Sequence, residues 1–188
     1  MTVRLKKSDL ILTENIKPGH VIVGLASYGK ATYEEEYNSG ISSNGLTSAR
    51  HDLLAKVYAE KYPETFDASI NASLVYSGTK LLTDRLEGTE LNIGKALLSP
   101  TRTYTPVLKK VLAELPGQIK GLINCTGGAH TKVLHYLPNS LRIVKNNLLP
   151  VPPLFKLIQE QSGTNWQEMF KVLNCGTRME VYIEEQHA

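Results

Sequence analysis

The chain has 188 residues, 41% hydrophobic and 21% charged, with two cysteines and a net charge of +3. That suits one globular domain with a sizeable core. The weak basic balance, with no dense Lys/Arg block, argues against nucleic acid and is compatible with an anionic small molecule.

No apolar run approaches the length of a membrane span, and MTVRLKKSDL lacks an apolar core of signal-peptide type. Cys125 and Cys175 lie far apart with no CxxC or Cys/His zinc spacing. Free thiols in a cytoplasmic protein are the expectation. Cys125 sits beside a glycine turn, but no activating base is identifiable, so a buried, inert thiol is preferred over a nucleophile.

In chain order, Val3 to Ile11 alternates loosely and reads as an extended opening strand. Lys17-Pro18-Gly19 is a turn. Val21 to Ala26 is a near-continuous apolar run, as expected of a buried strand. Lys30 to Gly40, rich in Tyr and Glu, reads as a solvated excursion, since adjacent acids do not share one face. Ser43 or Asn44 caps a helix whose apolar residues Leu46, Ala49, Leu53, Leu54 and Val57 carry it to about Glu60. Arg50 and His51 on it face either solvent or a cleft. Tyr62-Pro63 stops it.

Leu74 to Leu86 is expected to contain a short helix, and Leu91 to Leu98 another. Thr105-Pro106 opens an amphipathic helix with Val107, Leu108, Val111, Leu112 and Leu115 on one stripe. Arg102, just before it, is either an anion ligand or half of a surface ion pair. Ile119 to Asn124 is a strand, Thr131 to Tyr136 a helix-compatible segment, and Leu141 to Val144 a further strand. Leu149 to Pro153 is a rigid connector into a helix with Leu154, Leu157 and Ile158 on one face. Thr164 and Gln167 form a capping box for a helix from Trp166 to Leu173, with Trp166, Met169 and Phe170 as core. Met179 to Ile183 is the last strand. No repeat or internal linker divides the chain. Residues 1–188 are expected to form a single α+β domain, a mixed β-sheet layered with α-helices. The loops after Ala26 and Asn124 then lie at strand C-terminal ends, where ligands bind in open sheets.

The second of those loops is the clearest candidate site. In Gly121 to His130, GLINCTGGAH, an apolar run breaks into Thr126-Gly127-Gly128 before a helical segment. Such a loop can aim several N–H groups at one point, and the missing side chains at Gly127 and Gly128 let a phosphate approach closely. The alternative is a tight turn and nothing more. Ser43-Asn44-Gly45 supplies small polar groups that can face the same cleft. Ala129 and His130 continue the loop, with His130 either replacing a polar contact or serving as a cap or surface residue.

Taken together, KPG (17–19), VIVGLAS (21–27), SNGL (43–46) with Arg50 behind it, LLSPTRTY (97–104), CTGGA (125–129), PVPPLFKLIQ (150–159) and EMFKVLNCG (168–176) follow one another in a distinctive order. The set resembles the C-terminal domain of the phosphoribosylformylglycinamidine cyclo-ligases, also called aminoimidazole ribonucleotide synthetases, over about Asn15 to Ile183. The resemblance implies ATP- and Mg²⁺-dependent closure of the imidazole ring of aminoimidazole ribonucleotide from formylglycinamidine ribonucleotide, in purine biosynthesis. It implies a cytoplasmic homodimer acting on a phosphorylated small molecule, with most of the nucleotide and metal binding in an N-terminal domain absent from this sequence. The isolated chain is then expected to be inactive. No catalytic residue and no metal ligand is assigned in it. Ser43, Asn44, Gly45, Arg102, Thr126, Gly127, Gly128, Ala129 and His130 are the candidate substrate- or phosphate-binding residues. Two departures stand out: Ser42 replaces the histidine that commonly precedes Ser-Asn-Gly in that family, and Ala129 replaces its third glycine. The other readings are a related ATP-using enzyme, such as a formylglycinamidine ribonucleotide synthetase, or a non-catalytic anion-binding module.

Overall fold

A computed structural model describes residues 4–188; Val3, where the expected opening strand starts, lies outside them. Three strands, β1 (His20–Ala26), β2 (Gly121–Asn124) and β3 (Thr177–Glu184), pair in the order β1-β3-β2. Successive strand residues point to opposite faces. Ile22, Ile123 and Tyr182 therefore meet Ile16 and Val133 on one side. Val21, Leu25, Leu122, Val181 and Ile183 meet Ile119 on the other, together with Val111 and Leu115 of a covering helix.

The helices are α1 (Leu46–Leu53), α2 (Val57–Lys61), α3 (Ile93–Leu97), α4 (Thr105–Glu114), α5 (Pro153–Ser162) and α6 (Trp166–Val172). Helices α1, α3, α5 and α6 close the main core around Leu53, Ile93, Leu154, Phe155 and Ile158. This is the expected α+β arrangement. Both strand pairings are antiparallel. The parallel pairing that a mixed sheet would contain is confined to isolated bridges, Leu54 to Lys80 and Ala55 to Gly78.

Those bridges explain two departures from the sequence reading. The helix expected to reach Glu60 stops at Leu53, because Leu54 and Ala55 leave it to pair with Lys80 and Gly78. The helix expected within 74–86 gives way to the same pairing, and one 3₁₀ turn at Ala72–Leu74 is what forms there. Gly78 permits the approach: a Cβ would overlap the carbonyls of Asp52 and Leu53.

Other differences are local. Between residues 4 and 11 there is a 3₁₀ turn, Lys7–Asp9, and no strand. Leu141 to Val144 joins no ladder. Strand β1 is an edge strand, half-exposed at Val23, because β3 takes the central place. The cap of α6 is Asn165, whose side chain accepts from the Glu168 N–H at 2.9 Å, one residue beyond the expected capping box. Met169 is core, whereas Trp166 is 39% exposed.

The excursion after β1 is anchored rather than free. Arg102 is 9% exposed, and all five of its N–H bonds are used. It donates to both Glu34 oxygens, at 2.8 and 2.5 Å, and to the carbonyls of Ala26, Tyr28 and Gly29 at 2.7 to 2.9 Å. The candidate anion ligand is thus a buried clamp with no donor left for a ligand. Glu35 and Glu36 are solvated as expected, but Glu34 is not, and Asn38 to Gly40 are buried. Burial alone would raise the Glu34 carboxyl. Hydrogen bonds from Arg102 and the Ala31 N–H, and the guanidinium charge, hold it below the usual value instead. Breaking such a pair from one side leaves an uncompensated charge. Arg102→Met is expected to lower the unfolding free energy by about 3–5 kcal/mol, read from urea denaturation. An unchanged midpoint would show that the clamp is dispensable.

Candidate functional site

Strands β1 and β2 run in the same direction on either side of β3, so their C-terminal ends meet the start of β3 at one end of the sheet. Asn174, just before β3, ties that end together. Its Oδ1 accepts from Ser27 Oγ at 2.8 Å and from the Gly176 N–H at 3.0 Å, and its Nδ2 donates to the Gly40 carbonyl at 3.0 Å. His130 Nε2 donates to the Asn174 carbonyl at 2.9 Å. One buried residue, through its side-chain amide and its backbone carbonyl, therefore fixes the loop after β1, the segment before α1 and the loop after β2 relative to each other.

On that base stand the two loops singled out in the sequence. Asn44 Nδ2 donates to Thr126 Oγ1 at 2.5 Å and joins them directly. This is a different task from the expected capping: Gly45 (φ +80°) takes the N-cap position of α1 with no side-chain cap, and Ser43 stands exposed nearby. Gly127 and Gly128 both lie in the left-handed region, at φ +59° and +116°. A Cβ on Gly127 would stand 3.3 Å from Asn44 Nδ2 and 3.9 Å from Lys132 Nζ. The amide of Asn44, the hydroxyl of Thr126, the bare backbone at 127–128 and the ammonium of Lys132 therefore surround one spot. A hollow of about 300 Å³ lined by Asn124, Thr126, Lys132 and Tyr136 opens beside it. The segment that follows is a 3₁₀ helix, Ala129–His135, tighter than the expected helix and starting two residues earlier.

Ala129 and His130 support this loop from beneath. Ala129 is fully buried at φ +40°. His130 packs edge-on against Phe170, with ring centroids 5.1 Å apart. With Nε2 donating to Asn174, Nδ1 carries the lone pair, faces no hydrogen-bond partner and lies 3.9 Å from Glu180 Oε1. It is a prop, neither a surface histidine nor a cap.

Behind His130, Lys145 Nζ donates to Glu180 Oε1 at 2.5 Å and to the His130 carbonyl at 2.6 Å, and Tyr182 donates to Glu180 Oε2 at 2.8 Å. These groups floor a separate hollow of about 580 Å³ between β1 and residues 141–149. Its buried carboxylate is already paired, so it asks for no ligand charge.

Arg178, 7% exposed, sits at the start of β3; its Nη1 meets no acceptor, and it forms no ion pair among the described residues. Lys132 and Arg178 carry no motif of their own in the sequence, whereas Asn174 falls within the EMFKVLNCG stretch already singled out. Among the described residues no three His, Cys, Asp or Glu side chains converge on a metal position, and no helix is long and apolar enough to cross a membrane. Burial raises both the Cys125 and the Cys175 thiols, which makes them poor nucleophiles.

No family model matches the chain. Among curated proteins it is similar to the phosphoribosylformylglycinamidine cyclo-ligases. It is 32% identical to that of Bacillus pumilus over 96% of this chain, 34% to that of Methanococcus vannielii over 98%, and 29% to that of Bacillus subtilis over 97%. The chain spans 42–43% of the length of these relatives.

His51 adds a second buried imidazole: Nδ1 accepts from the Tyr76 N–H at 3.2 Å and Nε2 has no partner. Burial lowers the pKa of both His51 and His130 below the ordinary 6.5. The folded state then binds fewer protons than the unfolded one. Stability is fully present above pH about 6.5 and falls as the pH drops through that value toward the folded pKa. Urea midpoints are expected to decline between pH about 7 and 5, with the decline reduced in His51→Gln. A flat profile would show that neither imidazole is held neutral.

Proposed function

We propose that this chain is the C-terminal domain of a phosphoribosylformylglycinamidine cyclo-ligase, and that its Thr126–Gly128 loop with Asn44 and Lys132 holds a phosphate group of the substrate or nucleotide. The observation that carries the phosphate reading is the convergence of Lys132, the Asn44 amide and two left-handed glycines on one spot. Positive charge, neutral donors and unobstructed backbone are what a phosphate requires. The similarity to named cyclo-ligases supports the family reaction, ATP-dependent ring closure on a formylglycinamidine ribonucleotide. ATP and Mg²⁺ supply the phosphoryl chemistry in that reaction.

In this reading the metal and most of the nucleotide are held by the rest of the whole enzyme, which acts as a homodimer in the cytoplasm. The domain's contribution is positioning: it fixes a charged group of the ligand against a frame set by Asn174. Phosphoryl transfer depends on positioning and electrostatics more than on covalent help from the protein.

Two measurements test this. The chain alone, supplied with ATP, Mg²⁺ and formylglycinamidine ribonucleotide, is expected to make no ADP above background; robust turnover would refute its role as a partial enzyme. Gly127→Val places a branched side chain in the left-handed region and against Asn44. It is expected to weaken phosphate binding at least about tenfold by equilibrium dialysis, and unchanged binding would sink the loop assignment.

A further inference from the structure

The register between β1 and β3 breaks at one point. Leu25 pairs with Met179, but Ala26 pairs with Thr177, so Arg178 has no partner on β1. A bulge of this kind re-aims a side chain and is common beside active sites. The residue placed there is a guanidinium 7% exposed, with Nη1 enclosed and unpartnered. Its backbone carbonyl accepts from the Cys125 N–H at 2.6 Å, so it adjoins the residue that precedes Thr126.

Among the described residues no acidic side chain pairs with it. Its ionisable neighbours are Tyr104 and Cys125. Burial pushes both well above their ordinary values, so both are neutral at pH about 7. Tyr104 is also committed as a donor to the Ala26 carbonyl at 2.9 Å. Glu180, two residues along β3, is engaged by Lys145 and Tyr182. Arg102 shows what a satisfied guanidinium looks like in this fold, with a carboxylate and three carbonyls around it. Arg178 has none of these. A buried cation without a counter-charge is costly, and the cost is relieved when an anion binds it.

We propose that Arg178 is the charge partner of a bound phosphate group at the strand ends, completing a site whose other half is the Asn44, Thr126–Gly128 and Lys132 cradle. The inference rests on the reading of that cradle as anion-binding. It goes beyond it by assigning the ligand's negative charge to a strand residue rather than to the loop, and it makes a dianionic phosphate ester the preferred ligand.

The test uses the full chain and inorganic phosphate, with chloride at matched ionic strength as the control. Phosphate is expected to raise the thermal midpoint of the wild type where chloride does not. Arg178→Met is expected to weaken apparent phosphate affinity about tenfold or more, and to be as stable as wild type, or more so, in phosphate-free buffer, because an uncompensated charge has gone. The Arg178 Nε–H resonance, assigned by its loss in Arg178→Lys, is expected to shift on phosphate titration, a readout independent of how the Met variant folds. If Arg178→Met keeps wild-type affinity while Gly127→Val loses it, the cradle stands and the Arg178 inference falls. If Gly127→Val keeps affinity while Arg178→Met loses it, the cradle reading falls and the shared site falls with it, although Arg178 binds phosphate. No response in the wild type overturns both. A less stable Arg178→Met together with a resonance that ignores phosphate identifies the guanidinium as a structural anchor and overturns the inference.

Discussion

The buried Asn174 amide is the constraint on which the rest of the site depends. It satisfies Ser27, Gly40 and Gly176 with one side chain and His130 with its carbonyl. Each of these partners opens or closes a different loop. An amide is suited to this because it offers donors and an acceptor in one rigid plane. In a buried setting every one of those groups must be met or the fold loses stability. The loops therefore cannot shift independently, and the turn at Gly127–Gly128 inherits its position from a residue outside it.

The charge distribution at this end of the sheet follows from what is paired and what is not. Two acids withdrawn from solvent, the part-buried Glu34 and the buried Glu180, are each matched to a cation, Arg102 and Lys145 respectively. The imidazoles of His51 and His130 are held neutral by burial. Among the described residues, Lys132 at the loop and Arg178 at the start of β3 belong to no ion pair. A modest net charge of +3 thus conceals a local excess of positive charge where three strand ends converge, and that excess, more than the overall balance, bears on ligand chemistry.

Much of this architecture is legible in the sequence where local rules decide. Pro106 near the start of α4, Gly163 after α5 and the turn at Lys17–Gly19 lie where turn and cap chemistry put them. The Thr126-Gly127-Gly128 loop is legible too, because paired glycines after an apolar run mark the point where a strand must end and the backbone turn sharply. Asn44 stands out through its helix-start position, yet it spends its amide on Thr126, a contact 82 residues away that no local pattern encodes. Arg102 is ambiguous in sequence, because an arginine that clamps carbonyls and one that binds an anion look identical there. The helix expected to run to about Glu60 is interrupted after Leu53 and resumes as α2 at Val57, because long-range pairing of Leu54 and Ala55 with Lys80 and Gly78 outweighs helical spacing. Arg178 leaves no trace, since a register break in a sheet is a property of two distant strands.

The sheet itself has a kinetic side. Strand β3, which forms every rung of it, comes after all six α-helices, and Ser27 meets Asn174 across 147 residues of chain. Nascent β1 and β2 thus emerge with no strand to pair with and must wait, half-dressed by helices, until β3 arrives between them. Contacts at such separation slow folding because loop closure precedes any gain from pairing. The cluster of α1, α3 and α5 can assemble earlier. The strand-end loops, which need β3 and Asn174 together, can complete only once β3 is in place.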